Sequence, residues 1–236
     1  MDEVFRIRPT LGHVVVDDTS IPVADIELGG VPRGAALILC DPDDLQSTSD
    51  DMGNRFAEHG YESTTADVSA VLGRDDSATR AIDALLDHVA RRGWSPDQVG
   101  VVGYGPAGRA AFLAAASFPV GAAVTAAARL DDVVPPMGSP TAVRVPWLGM
   151  FAADAPEHEA TRFRAFAERI DAASPAYTTV LAYPHVSGAF YRTSREPWEH
   201  AASFDSWQRT LEWLNLRVVP RLTPLAQAWR ARHGAA

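Results

Sequence analysis

Hydrophobic and polar positions change rhythm along the chain. VFRIR (4–8), HVVVDD (13–18) and VADIEL (23–28) are short alternating or apolar runs, followed by Gly29, Gly30 and Pro32. That pattern predicts antiparallel strands joined by turns. Residues 35–40 (AALILC) form a compact apolar run that reads as a strand buried on both faces. It leads into the polar loop DPDDLQSTSDD and a helical segment, GNRFAEHG, ending at Gly60. YESTTAD (61–67) is a plausible strand. Residues 75–92 predict a helix with Ile82, Leu85, Leu86 and Val89 on one face, stopped by Gly93.

Four strand–helix signals then follow. VGVVGYG (99–105) precedes an alanine-rich helix over 106–117, with Pro106 suited to the first turn. GAAVTAA (121–127) comes next, and VPWLGMF (145–151) precedes a helix over 158–173. TTVLAYP (178–184) precedes a helix over 198–216, and a short helical stretch over 225–232 closes the chain without an evident docking site. Residues 128–144 predict a long loop. Hairpins followed by repeated strand–helix units predict an α/β fold. It is a mostly parallel central sheet with antiparallel N-terminal strands and helices on both faces. Nothing marks a linker, so residues 1–236 read as a single domain. In such sheets, ligands sit at the C-terminal ends of the parallel strands.

Composition narrows the chemistry. All 21 basic residues are arginine and face 30 acidic ones, a net charge of −9 that disfavours nucleic acid and anionic membranes. The single cysteine, Cys40, excludes an internal disulfide and a cysteine-based metal site, and as a buried strand residue it reads as a small hydrophobe. The N-terminus lacks a secretion pattern and no apolar run approaches a membrane span, so the expected location is the cytoplasm. No metal-ligand spacing and no phosphate-cradling lysine occur, and no cofactor is expected.

The tightest motif is Gly103-Tyr104-Gly105-Pro106-Ala107-Gly108, between strand and helix. One reading is a dinucleotide-binding turn of an oxidoreductase, with pyrophosphate resting on helix N–H groups. Against it, the turn lies far from an opening βαβ unit, and the next strand ends in Ala127-Ala128-Arg129 without an acidic tip. The other reading is a nucleophile elbow, small-x-nucleophile-x-small, with Gly105 at the apex.

In its elbow and in several further segments the chain resembles the dienelactone hydrolase family of α/β-hydrolases. Residues 51–68 (DMGNRFAEHGYESTTADV) look like that family's helix–GY–strand–D segment. VVGYGPAGRAAFLAA resembles its elbow, where a cysteine is usual. PWLGM (146–150) resembles the strand before its catalytic aspartate, and YPHVSGAF (183–190) its YPxxxHxF segment. The resemblance implies an α/β-hydrolase fold and carboxylic ester or lactone hydrolysis. It also places the nucleophile at Gly105, the histidine at Gly188 and the aspartate at about Ala155, beside Asp154. Glycine cannot attack a carbonyl, and without the imidazole nothing activates a nucleophile.

The sequence therefore predicts a non-hydrolytic member, a pseudoenzyme that binds a small carboxylate, lactone or ester or serves a structural or regulatory role. The alternative is a hydrolase, isomerase or cyclase in which Asp154 and His185 activate water. Asp154 also suits a helix cap and His185 an ordinary surface position. Arg192 stands where the resemblance implies a carboxylate-binding arginine, and its planar fork suits that task. It equally suits a surface pair with Glu196 or Glu199. Tyr104, Gly105 and Asp41 complete the candidate ligand-binding set, Asp41 at the head of an aspartate-rich rim. Oligomeric state is left open.

Overall fold

The computed structural model describes residues 6–41, 45–133, 141–153, 156–186, 190 and 197–233. Eight strands form one sheet: β1 (Thr10–Val16), β2 (Thr19–Ile26), β3 (Gly34–Cys40), β4 (Tyr61–Asp67), β5 (Val99–Tyr104), β6 (Ala122–Arg129), β7 (Trp147–Ala153) and β8 (Thr178–Pro184). Their order is β1-β2-β4-β3-β5-β6-β7-β8. The β1–β2 and β2–β4 pairs are antiparallel, and β4 through β8 run parallel. The mixed sheet expected from the pattern is the one observed.

The helices are α1 (Leu45–Thr48), α2 (Asn54–Glu58), α3 (Asp75–Arg91), α4 (Gly108–Ser117), α5 (Leu130–Val133), α6 (Pro156–Ala173), α7 (Pro197–Arg217) and α8 (Pro224–His233). A π turn, Ser49–Gly53, joins α1 to α2. Of the strand expected over 4–8, residues 4 and 5 lie outside the described residues and 6–8 have no regular structure; sheet pairing starts at Thr10. The loop expected over 128–144 begins later, because β6 continues to Arg129 and turns into α5; residues 134–140 lie outside the described residues, and 141–144 have no helix or strand.

Two apolar layers hold the helices to the sheet. Leu37 and Leu39 face the layer containing Leu85, Phe112, Trp147 and Phe166, while Ile38 faces Phe56, Trp207 and Leu214. Alternation along a strand divides its side chains between the faces, so every residue of β3, β5 and β7 is buried.

The polar sequence of β4 has a structural cause. Glu62, Ser63, Thr64 and Thr65 are buried beside the end of α3 and the chain that follows it. Arg92 Nη1 donates to Asp25 Oδ1 at 2.9 Å and to Thr64 Oγ1 at 2.7 Å, and Trp94 Nε1 donates to Glu62 Oε2 at 2.9 Å. Buried charges persist in a core when they are paired and hydrogen-bonded in this way.

Candidate functional site

The strand–helix turn after β5 is built by close packing. A Cβ at Gly103 would lie 2.4 Å from the Ala107 carbonyl oxygen and 2.9 Å from Ala111 Cβ, so only glycine lets the helix cross this near the strand. The first glycine of the motif thus has a packing role. Gly105 has φ +54°, the left-handed conformation an elbow imposes on its apex. A 3-10 turn, Gly105–Ala107, then feeds α4. Beneath it, Thr125 Oγ1 donates to the Gly108 carbonyl at 2.8 Å and accepts from Trp147 Nε1 at 3.1 Å. Strands β6 and β7 thereby pin the start of α4.

The apex residue has no side chain, and the residue that follows it is Pro106. In α/β-hydrolases the backbone N–H after the nucleophile helps form the oxyanion hole. Here that residue is Pro106, which has no N–H. The same residue suits a first helical turn, where no N–H is needed.

The other predicted residues divide into described and undescribed positions. Tyr104 is 3% exposed and packs in the layer with Ala126, Met150 and Trp207. Asp41 follows β3 and is half-buried. Cys40 is buried, with Sγ 3.4 Å from the Ala66 carbonyl oxygen. His185 is exposed at the end of β8 with φ +60°, and its N–H donates to the Ala153 carbonyl at 3.0 Å. That bond ties the chain beyond β8 to the residue preceding Asp154. Asp154, Ala155, Gly188 and Arg192 lie outside the described residues.

Below this point, Tyr183 Oη donates to Asp205 Oδ2 at 2.6 Å, and Arg209 Nε donates to the same oxygen at 2.6 Å. Burial and the adjoining Asp205 carboxylate push the Tyr183 phenol well above its ordinary range. Burial alone would raise Asp205, but the hydrogen bonds from Arg209 and Tyr183 outweigh it and hold the carboxyl below its usual value. Tyr183 also packs against buried Phe190, with ring centroids 4.9 Å apart. This arrangement fastens α7 to the end of β8.

A cleft of about 400 Å³ opens beside the elbow, lined by Leu72, Gly73, Asp75, Pro106, Arg109, Asp131 and Asp132. Sequence pattern did not single out Arg109, which looks like one arginine in an alanine-rich helix. Its guanidinium binds both oxygens of Asp75 and donates through Nη1 to the Val133 carbonyl at 2.9 Å. Asp131 pairs with Arg162 on α6, and Asp132 accepts from the Arg129 N–H at 3.2 Å. Much of the cleft's negative charge is therefore already compensated. Among the described residues no group of three side chains is arranged to hold a metal ion, and no helix is long and apolar enough to cross a membrane.

A model of the dienelactone hydrolase family matches residues 69–217. No curated protein matches the chain. Solved structures do. A putative dienelactone hydrolase from Klebsiella pneumoniae is 21% identical, with 88% of this chain and 98% of that chain covered and a TM-score of 0.65. A dienelactone hydrolase from Anabaena variabilis is 20% identical, covering 90% and 100% of the respective chains with a TM-score of 0.63. A dienelactone hydrolase-like promiscuous phosphotriesterase from metagenomic libraries is 16% identical, covering 91% and 100% with a TM-score of 0.68. At these identities the structural likeness establishes the fold.

Proposed function

The chain belongs to the dienelactone hydrolase family, and from that premise we propose that it is a non-hydrolytic member that binds a small carboxylate, lactone or ester without cleaving it. One observation carries this reading: the elbow apex is Gly105, and Pro106 follows it. The first residue supplies no nucleophile, and the second supplies no oxyanion donor from its backbone. An acyl-enzyme would need both a nucleophile and a stabilised tetrahedral intermediate. The cleft beside Pro106, at about 400 Å³, falls within the range of roughly 300–1,000 Å³ common for small-ligand sites, and of the elbow only Pro106 lines it. Arg192 is the proposed carboxylate contact, with Tyr104, Gly105 and Asp41 around the same strand ends.

The test joins an ester assay to a binding assay. Purified protein should hydrolyse p-nitrophenyl acetate no faster than a Gly103–Gly108 peptide control. Thermal unfolding in the presence of small lactones, esters and carboxylates should reveal ligands that raise the transition temperature. A ligand at 100 times its Kd stabilises a protein by about 2.7 kcal/mol. Arg192→Ala should remove the response to carboxylates.

The His185 backbone bond to Ala153 favours one second reading, in which Asp154 and His185 activate water directly. Robust turnover abolished by either Asp154→Asn or His185→Ala would establish that reading and overturn the non-hydrolytic one.

A further inference from the structure

A second concavity, of about 240 Å³, lies between β8 and α7 and shares no lining residue with the cleft beside the elbow. Alternation along the chain brings Tyr177, Thr179 and Leu181 to one face, opposite residues 209, 212, 213, 216 and 217 of α7. Its base is apolar, with Leu148 buried and Leu181 half-buried. The volume is below the roughly 300–1,000 Å³ of drug-sized sites, so only a small molecule fits.

Three charged side chains border this groove, and their states differ. Arg209 is committed, with Nε donating to Asp205 Oδ2 at 2.6 Å. Arg217 has no carboxylate within ion-pair distance among the described residues. Its guanidinium lies 3.4 Å from the Trp213 ring centroid and 5.5 Å from that of Tyr177. Nη1 makes only a long bond, 3.4 Å, to the Trp213 carbonyl. Desolvation pulls the Arg217 pKa below the ordinary arginine value, which marks a cation short of counter-charge. Glu212, exposed on the same helix, likewise has no cation within that distance among the described residues. One turn from Arg217, the buried indole N–H of Trp213 has no acceptor among the described residues. The last carbonyls of α7 would repel an anion, but they are engaged. Leu214 accepts the Val218 N–H at 2.8 Å, and Asn215 accepts from Arg33 Nη2.

We propose that this groove binds a small zwitterion of the α-amino-acid kind. Its carboxylate meets Arg217, its ammonium meets Glu212 and its apolar side chain covers Leu148 and Leu181. Charge complementarity selects this occupant. Arg217 and Glu212 line one groove without reaching each other, so a molecule carrying both charges a few ångströms apart completes both. A simple monoanion satisfies Arg217 and leaves Glu212 opposed to it, while a dianion is repelled more strongly. The guanidinium fork suits a carboxylate, and its two aromatic neighbours hold it in place, which lowers the ordering cost of binding.

L-phenylalanine and its two single-charge analogues test the assignment by nuclear magnetic resonance of the indole N–H groups. The chain has six tryptophans, and loss of one signal in Trp213→Phe identifies the reporter. L-phenylalanine should shift that signal saturably. 3-Phenylpropionate, which lacks the ammonium, and 2-phenylethylamine, which lacks the carboxylate, should each bind about tenfold more weakly. Glu212→Gln should reduce L-phenylalanine to the affinity of 3-phenylpropionate, and Arg217→Met should abolish the response. No saturable shift with millimolar L-phenylalanine overturns the proposal. So does equal affinity for 3-phenylpropionate, or an unchanged affinity in Glu212→Gln. If Arg217→Met fails to fold by circular dichroism, the analogue series and the exposed Glu212→Gln change decide.

Discussion

Thr125 Oγ1 donates to the carbonyl of Gly108 at 2.8 Å, joining β6 to the first residue of α4 directly below the elbow. The same oxygen accepts the indole N–H of Trp147 at 3.1 Å, so one hydroxyl satisfies two buried groups from different elements. Thr125 and Trp147 are both 0% exposed. Thr125→Val keeps the shape but leaves the Trp147 indole N–H unpaired and takes a second donor from the Gly108 carbonyl, which the α4 ladder still satisfies. It should cost about 1–3 kcal/mol, the cost of one buried donor left unsatisfied. Thr125→Ser retains the hydroxyl and should cost much less. Urea unfolding of the two variants checks the difference.

Arg109 makes a comparable connection between helices. Its side chain is 10% exposed, and it spans Asp75 at the start of α3 and Val133 in α5. Arg109→Met preserves much of the stem but leaves the Asp75 carboxylate without this partner. Breaking a fully buried pair costs about 3–5 kcal/mol. Water reaches Asp75, which is 24% exposed, so about 2–3 kcal/mol is expected here. Asp75→Asn should cost less, because the amide oxygen can still accept one hydrogen bond. The measurement is the urea midpoint at constant slope.

The pattern of the sequence made the parallel half of the sheet legible because β3, β5 and β7 are buried on both faces and therefore read as apolar runs. It was less informative about β4. Glu62 and Thr64 look like surface residues until Trp94 and Arg92, some thirty positions away, reach them. The elbow was legible from Gly103 and Gly105, because close packing at the first and a left-handed apex at the second require glycine or strongly favour it. The Arg109 clasp was not legible, since no local spacing announces a contact with Asp75 across two helices. Asp154, Ala155, Gly188 and Arg192, which the sequence places in the site, lie outside the described residues.

Tyr183 and Asp205 give the stability an alkaline limb. The folded-state phenol is raised above its unfolded value of about 10, so the folded protein keeps that proton where the unfolded chain loses it. Its contribution is complete below about pH 10 and is lost as pH rises toward the higher folded value. Asp205 acts in the opposite range. Its lowered carboxyl contributes above about pH 4 and loses that contribution as pH falls through the folded value. Tyr183→Phe should flatten the alkaline decline and cost about 1 kcal/mol at neutral pH through the missing hydrogen bond. Urea unfolding at pH 7, 9 and 10.5 checks both parts.

Restoring chemistry at the elbow should require more than restoring a nucleophile. Gly105→Cys places a side chain at φ +54° and should destabilise the fold by about 1–2 kcal/mol, the cost of a left-handed conformation for an L-residue. It should add no measurable turnover of p-nitrophenyl acetate, because a base and an oxyanion donor are still needed. Adding Gly188→His supplies an imidazole at the position implied by YPHVSGAF, yet Pro106 still offers no N–H. A third change, Pro106→Gly, supplies that donor. Loss of one oxyanion-hole donor costs about 10²–10³ in kcat, so the triple variant should exceed the double by a factor of that order. Equal rates for the double and triple variants would remove Pro106 from the case for the proposed non-hydrolytic elbow.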